Sequence, residues 1–99
     1  MATQYTIQEL QAIVAPLAQA YGAARVYLFG SYARGDMTRN SDIDLRIDKG
    51  EIRGLKLASL LVDLEDALGV SVDLVPTTSL DSRFLSAIKQ EEVLLYEVS

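Results

Sequence analysis

Two periods of apolar and polar positions run along this chain, and the changes between them mark its elements. Leu10, Ile13, Val14 and Leu17 recur at helical spacing. They follow Thr6-Ile7-Gln8-Glu9, a capping box in which the Thr hydroxyl satisfies a free N–H at the helix start and Glu9 reaches back to the cap. Pro16 falls inside the pattern and is expected to kink the helix or end its first part; Gly22 is its stop. Arg25 to Phe29 is β-rich and runs into Gly30-Ser31, a strand entering a tight turn. Tyr32 to Asn40 is polar and reads as a loop or a short helix. From Ser41 to Asp48 the period drops to two. Ile43, Leu45 and Ile47 point one way and Asp42, Asp44, Arg46 and Asp48 the other, the pattern of a half-buried strand with an acidic open face.

Leu57, Leu60, Leu61, Leu64 and Leu68 mark a second helix over roughly Ile52 to Leu68, with Gly69 as its stop and Gly54 blurring its start. Val70 to Val75 is a further strand, ended by Pro76 and the Thr77-Thr78-Ser79 turn. Ser79 or Asp81 caps a third helix through Phe84, Leu85 and Ile88, and Val93 to Val98 forms a last strand. The order αββαβαβ predicts a small mixed β-sheet with helices packed on it, an α/β (α+β) fold. The 99 residues hold no repeat or linker and are expected to form a single domain, 1–99.

Composition narrows the chemistry. With 0 His and 0 Cys, Ser-His-Asp triads, Cys nucleophiles, disulfides and thiolate zinc sites are excluded within the chain. Any catalysis rests on carboxylates, hydroxyls, Lys or Arg, and on hard cations held by oxygen. A net charge of −5 argues against a nucleic-acid surface, which would show a basic patch, so no direct nucleic-acid contact is expected. Charges interrupt every hydrophobic run, so no membrane span is expected. The first ten residues show no basic region followed by an apolar core, so the expected location is cytoplasmic.

One segment gathers the candidate chemistry. Gly30 lets the backbone turn sharply and lets an anion approach with no Cβ in the way. The N–H groups of such a turn form a nest for phosphate, to which the Ser31 hydroxyl adds a donor. Asp42 and Asp44, two apart on a strand, place both carboxylates on one face. Like charges that close resist joint ionisation unless a cation lies between them, and an all-oxygen set favours Mg²⁺ or Mn²⁺. Arg34 suits a phosphate contact or a loop-fixing pair with a nearby carboxylate. Asp36 reads as a turn former, Asp48 as part of a solvated face, and Arg46 as a counter-ion to the acidic cluster. Tyr27, Tyr32 and Tyr96 read as packing.

The run from Gly30 to Leu45, GSYARGDMTRNSDIDL, resembles the signature of the minimal nucleotidyltransferases (MNT) of the polymerase-beta-like superfamily. The resemblance implies a nucleotidyltransferase fold in which Gly30 and Ser31 bind the triphosphate. Asp42 and Asp44, with a third carboxylate matched by Asp73 in SVDLV, then hold two Mg²⁺ ions and act as the catalytic residues. ATP is the implied substrate, and Arg34 an implied nucleotide contact. The implied partner is a cognate HEPN-domain toxin: the chain would be an antitoxin that transfers AMP onto a toxin tyrosine. The alternative is a non-catalytic antitoxin that neutralises the toxin by stoichiometric binding. The sheet edge and an apolar helix face at Leu10, Val14 and Leu17 are left for a homodimer or for the toxin.

Overall fold

The computed structural model describes residues 4–38 and 40–99; residues 1–3 of the amino-terminal reading and Arg39 of the Gly30–Leu45 run lie outside them. Thr6 caps α1 (Ile7–Tyr21) through the expected capping box, and Gly22 closes it in the left-handed conformation. Pro16 neither ends this helix nor divides it. Pro16 and Ala12, whose carbonyl loses its usual helical partner, are both exposed, so water can satisfy that acceptor. The chain continues through β1 (Arg25–Phe29), α2 (Ser31–Arg34), β2 (Ile43–Asp48), α3 (Lys56–Leu68), β3 (Val72–Pro76), a 3₁₀ turn (Thr77–Ser79), α4 (Ser82–Lys89) and β4 (Val93–Glu97).

The start of α3 differs most from expectation, and the strand ends shift by one or two residues. Gly54 takes a φ of +58°, which no helix interior allows, so α3 begins at Lys56, and Ile52 is buried ahead of it. The segment after Gly30 is helical at once, which adds α2 to the expected order. Asp81, rather than Ser79, caps α4 by accepting from the Phe84 N–H.

The four strands form one mixed sheet in the order β3-β2-β1-β4. β1 pairs antiparallel with both β2 and β4, with an irregularity against β4 between Val26 and Tyr27. β2 and β3 are parallel, linked across the sheet by α3. Pro76 is tolerated because β3 lies at an edge, where a missing N–H breaks no ladder.

Alternation decides the two faces. Val26, Leu28, Ile43, Leu45 and Ile47 enter one core with Leu10, Val14 and Ala18 of α1 and Leu60, Leu64 and Leu68 of α3. Leu10 and Val14 are therefore no partner-binding face: they are 0% and 1% exposed, covered by the sheet, and Leu17 packs beside them. The opposite face carries Arg25, Tyr27, Phe29, Asp44, Arg46 and Asp48, and α4 reaches it through Phe84, whose ring meets Phe29 edge-on at 6.4 Å. No helix among the described residues is long and apolar enough to cross a membrane.

Candidate active site

The sheet register brings the sequence-predicted residues to one end of this second face. Phe29, the last residue of β1, stands opposite Asp44 on β2, and Asp44 stands opposite Asp73 on β3. Asp42 lies two residues before Asp44, just outside the strand. Gly30 and Ser31 follow Phe29 directly, so the turn into α2 lies over the same end of the sheet.

Gly30 is required twice. Its φ is +77°, and a Cβ placed on it would lie 2.2 Å from Asp44 Oδ2. The Asp44 carboxylate thus rests against the turn in space that any other side chain would fill. Burial and then the negative charges of Asp73 and Asp42 push the Asp44 carboxyl up to about 6; Arg34 counteracts this weakly, while Glu91 adds to it. Asp42 and Asp73 are exposed. The three carboxylates are neighbours without forming a closed cage: among the described residues no three acidic groups are already arranged to hold an ion.

Arg34, at the end of α2, lies beside this group without joining it. Its Nε donates to Asp36 Oδ2 at 3.2 Å, and its Nη1 to Glu91 Oε2 at 3.0 Å and Oε1 at 3.3 Å. The loop-fixing pair therefore exists, with Asp36 as one of two partners.

Two expectations on the open face are corrected. Arg46 is no counter-ion to Asp42, Asp44 or Asp73. It is 3% exposed, its guanidinium lies 4.0 Å over the Tyr27 ring, and it forms a bidentate pair with Glu92. Its Nη1 also donates to Thr77 Oγ1 at 2.9 Å. Burial forces this arrangement, because a guanidinium taken out of water needs its donors satisfied on the spot. Asp48 is no solvated bystander. Desolvation alone would raise its carboxyl, but the Thr77 hydroxyl, Arg25 and Arg46 outweigh that and hold it below the ordinary value. Glu91 and Glu92 escaped the sequence reading. The available signal was Arg46 itself, since an arginine at the centre of an alternating strand implies a carboxylate from elsewhere in the fold. Tyr32 and Tyr96 are packing residues as expected.

Residues 11–99 match the family described as Polymerase beta, Nucleotidyltransferase. The chain is 36% identical over 93 residues to the protein adenylyltransferase MntA of Thermococcus cleftensis, covering 89% of this chain and 94% of that one. A solved structure of a toxin-antitoxin with AMP-PNP superposes with a TM-score of 0.76 at 26% identity, over 90% of this chain and 74% of that chain. Another, provisionally described as a minimal nucleotidyltransferase, superposes with a TM-score of 0.79 at 35% identity, over 92% and 97%.

Proposed function

Since this chain belongs to the polymerase beta nucleotidyltransferase family, we propose that it is a protein adenylyltransferase that moves AMP from ATP to a tyrosine of a cognate HEPN toxin, and so acts as an antitoxin. One observation carries the reading: the Asp44 carboxylate rests against Gly30 of the Gly-Ser turn while Asp73 stands beside it in register. A turn suited to phosphate and carboxylates suited to metal ions thereby share one end of the sheet. The name of the Thermococcus relative and the AMP-PNP in the toxin-antitoxin neighbour support the same donor and the same kind of partner.

Asp42, Asp44 and Asp73 would hold two Mg²⁺ ions. The donor set fits: it is all oxygen, and Asp73 and Asp42 add to burial in raising Asp44, a crowding of negative charge that a cation would relieve. Bound Mg²⁺ would neutralise the triphosphate and acidify the acceptor hydroxyl. Ser31 and the N–H groups beside Gly30 would take β- and γ-phosphate oxygens, with Arg34 on a further one, and so align the leaving pyrophosphate. The tyrosine oxygen then bonds to the α-phosphorus as the bond from that phosphorus to the bridging oxygen breaks. Asp73, exposed on the edge strand, is open to a protein acceptor and would receive the tyrosine proton.

Intact mass spectrometry of the toxin after incubation with this chain, ATP and Mg²⁺ tests the proposal. The expected result is a gain of one or more AMP units on a tyrosine, absent with Asp42→Ala/Asp44→Ala. A toxin that stays unmodified yet co-elutes as a tight complex would replace transfer with stoichiometric binding.

A further inference from the structure

The turn between α4 and β4 places two consecutive glutamates against the elements of the candidate site. Glu92 forms the bidentate pair with Arg46, two residues along β2 from Asp44, with side chains 11% and 4% exposed. This buried pair pins the turn to the strand that carries the acidic pair. Glu91, next in the chain, then reaches across to Arg34 on α2 with both carboxylate oxygens, at 3.0 and 3.3 Å. Asp36 holds the Nε of the same guanidinium. Among the described residues, Nη2 of Arg34 has no hydrogen-bond partner. Arg34 is thus held at two of its nitrogens by two carboxylates, with its side chain still 48% exposed.

An arginine held in this way differs from a free one. Its long side chain carries several rotatable bonds, and ordering them when a ligand arrives weakens binding. A guanidinium already fixed in its plane presents its remaining N–H pair to a phosphate without that loss. Arg34 ends the four-residue helix that Gly30 opens, and Gly30 lies against the Asp44 carboxylate, so the held guanidinium stands one turn of helix from the site. We propose that Glu91 is a positioning residue: anchored through Glu92, it holds Arg34 ready to take a phosphate oxygen of the nucleotide. This rests on the nucleotidyl-transfer reading above and adds to it a residue outside the Gly-Ser and Asp-x-Asp motifs.

Charge alone predicts the opposite. Glu91 is a carboxylate near a site for a polyanion, so its removal should by simple electrostatics tighten nucleotide binding. The test is calorimetric titration with AMP-PNP in the presence of Mg²⁺, on wild type, Glu91→Ala, Glu91→Gln, Arg34→Ala and the Arg34→Ala/Glu91→Ala double variant. Circular dichroism confirms that each is folded. Glu91→Ala is expected to weaken binding roughly 2- to 12-fold, the scale of ordering one long side chain. Glu91→Gln, which keeps an acceptor for Arg34 and loses the charge, should bind at least as well as wild type. Arg34→Ala should weaken binding at least as much as Glu91→Ala, and the double variant no further than Arg34→Ala, because the two residues act as a unit. In turnover with the toxin the Glu91→Ala loss should fall on the KM for ATP and leave kcat nearly unchanged. Unchanged or tighter binding by Glu91→Ala, alongside weakened Arg34→Ala, would overturn the positioning role while the transfer reading stands. Wild-type affinity in Arg34→Ala would remove Arg34 from the site, again leaving that reading intact. A wild-type chain that binds no AMP-PNP would overturn both.

Discussion

At Asp44, burial and the charges of Asp73 and Asp42 hold the carboxyl up to about 6, against an ordinary 3.8. Between those values the folded chain keeps a proton that the unfolded chain has released, so stability falls as pH rises through this window and is flat above it. Asp48, two turns of the strand's alternation away, works with the opposite sign. Its carboxyl is held low, so its contribution is present above the ordinary carboxylate range and is lost as pH falls below it. Asp44→Asn keeps the shape of the side chain and removes the charge. Urea unfolding of this variant without divalent ions should show a gain of roughly 1–2 kcal/mol at pH 7, after allowance for its partial exposure. The gain should vanish by about pH 2.5, well below the ordinary 3.8, where wild-type Asp44 is protonated in both states. An equal gain at both pH values would mean that the charge on Asp44 is not what burdens the fold. A residue that destabilises its own protein in this way is characteristic of a site kept for chemistry.

Among the elements, β2 shows how one alternating strand serves two purposes. Its inward residues Ile43, Leu45 and Ile47 are each 0% exposed and build the core, while its outward residues divide between the site and a buried ion network. That network ties β2 to the far end of the chain, because Arg46 finds its carboxylate on Glu92, 46 residues away. Glu92→Ala would leave a buried guanidinium short of its main partner and should destabilise by about 3–5 kcal/mol. Replacing both members, Arg46→Met with Glu92→Leu, removes the charge and its counter-charge together and should be far milder. Chemical denaturation of the two variants checks this. A double variant as unstable as Glu92→Ala would show that the network holds the fold by more than mutual satisfaction, with Thr77 and Asp48 the groups left stranded.

For the whole molecule, the site forms where two edges of connectivity meet: the β1–α2 turn above and the parallel β2–β3 pair below. A ligand that bridges them should stabilise the entire fold, since it binds the folded chain and not the unfolded one. Mg²⁺ with AMP-PNP at about 100 times its dissociation constant should add roughly 2.7 kcal/mol, a rise of several degrees or more in Tm for a chain of this size. Asp42→Ala/Asp44→Ala should abolish the shift. A shift retained by that variant in a thermal melt would place the nucleotide away from the acidic pair.

The sequence by itself determined the elements and the candidate residues, because both are set by local physics. Capping at Thr6, period 2 from Ile43 to Asp48 and leucines at helical spacing in α3 each act over a few residues. The Gly30-Ser31 turn and the Asp-x-Asp pair were legible for the same reason, whereas Asp73 was marked only by the family resemblance. Tertiary structure alone decided which carboxylates answer which arginines. Arg46 alternates onto the acidic face and so reads as a counter-ion to Asp42 and Asp44, yet the fold carries it to Glu92, and Arg34 to Glu91. Leu10 and Val14 read equally well as a docking face until the sheet covers them. Periodicity fixes the side of an element on which a residue lies. What stands on that side, at distances where charge and burial act, follows only from closing the sheet.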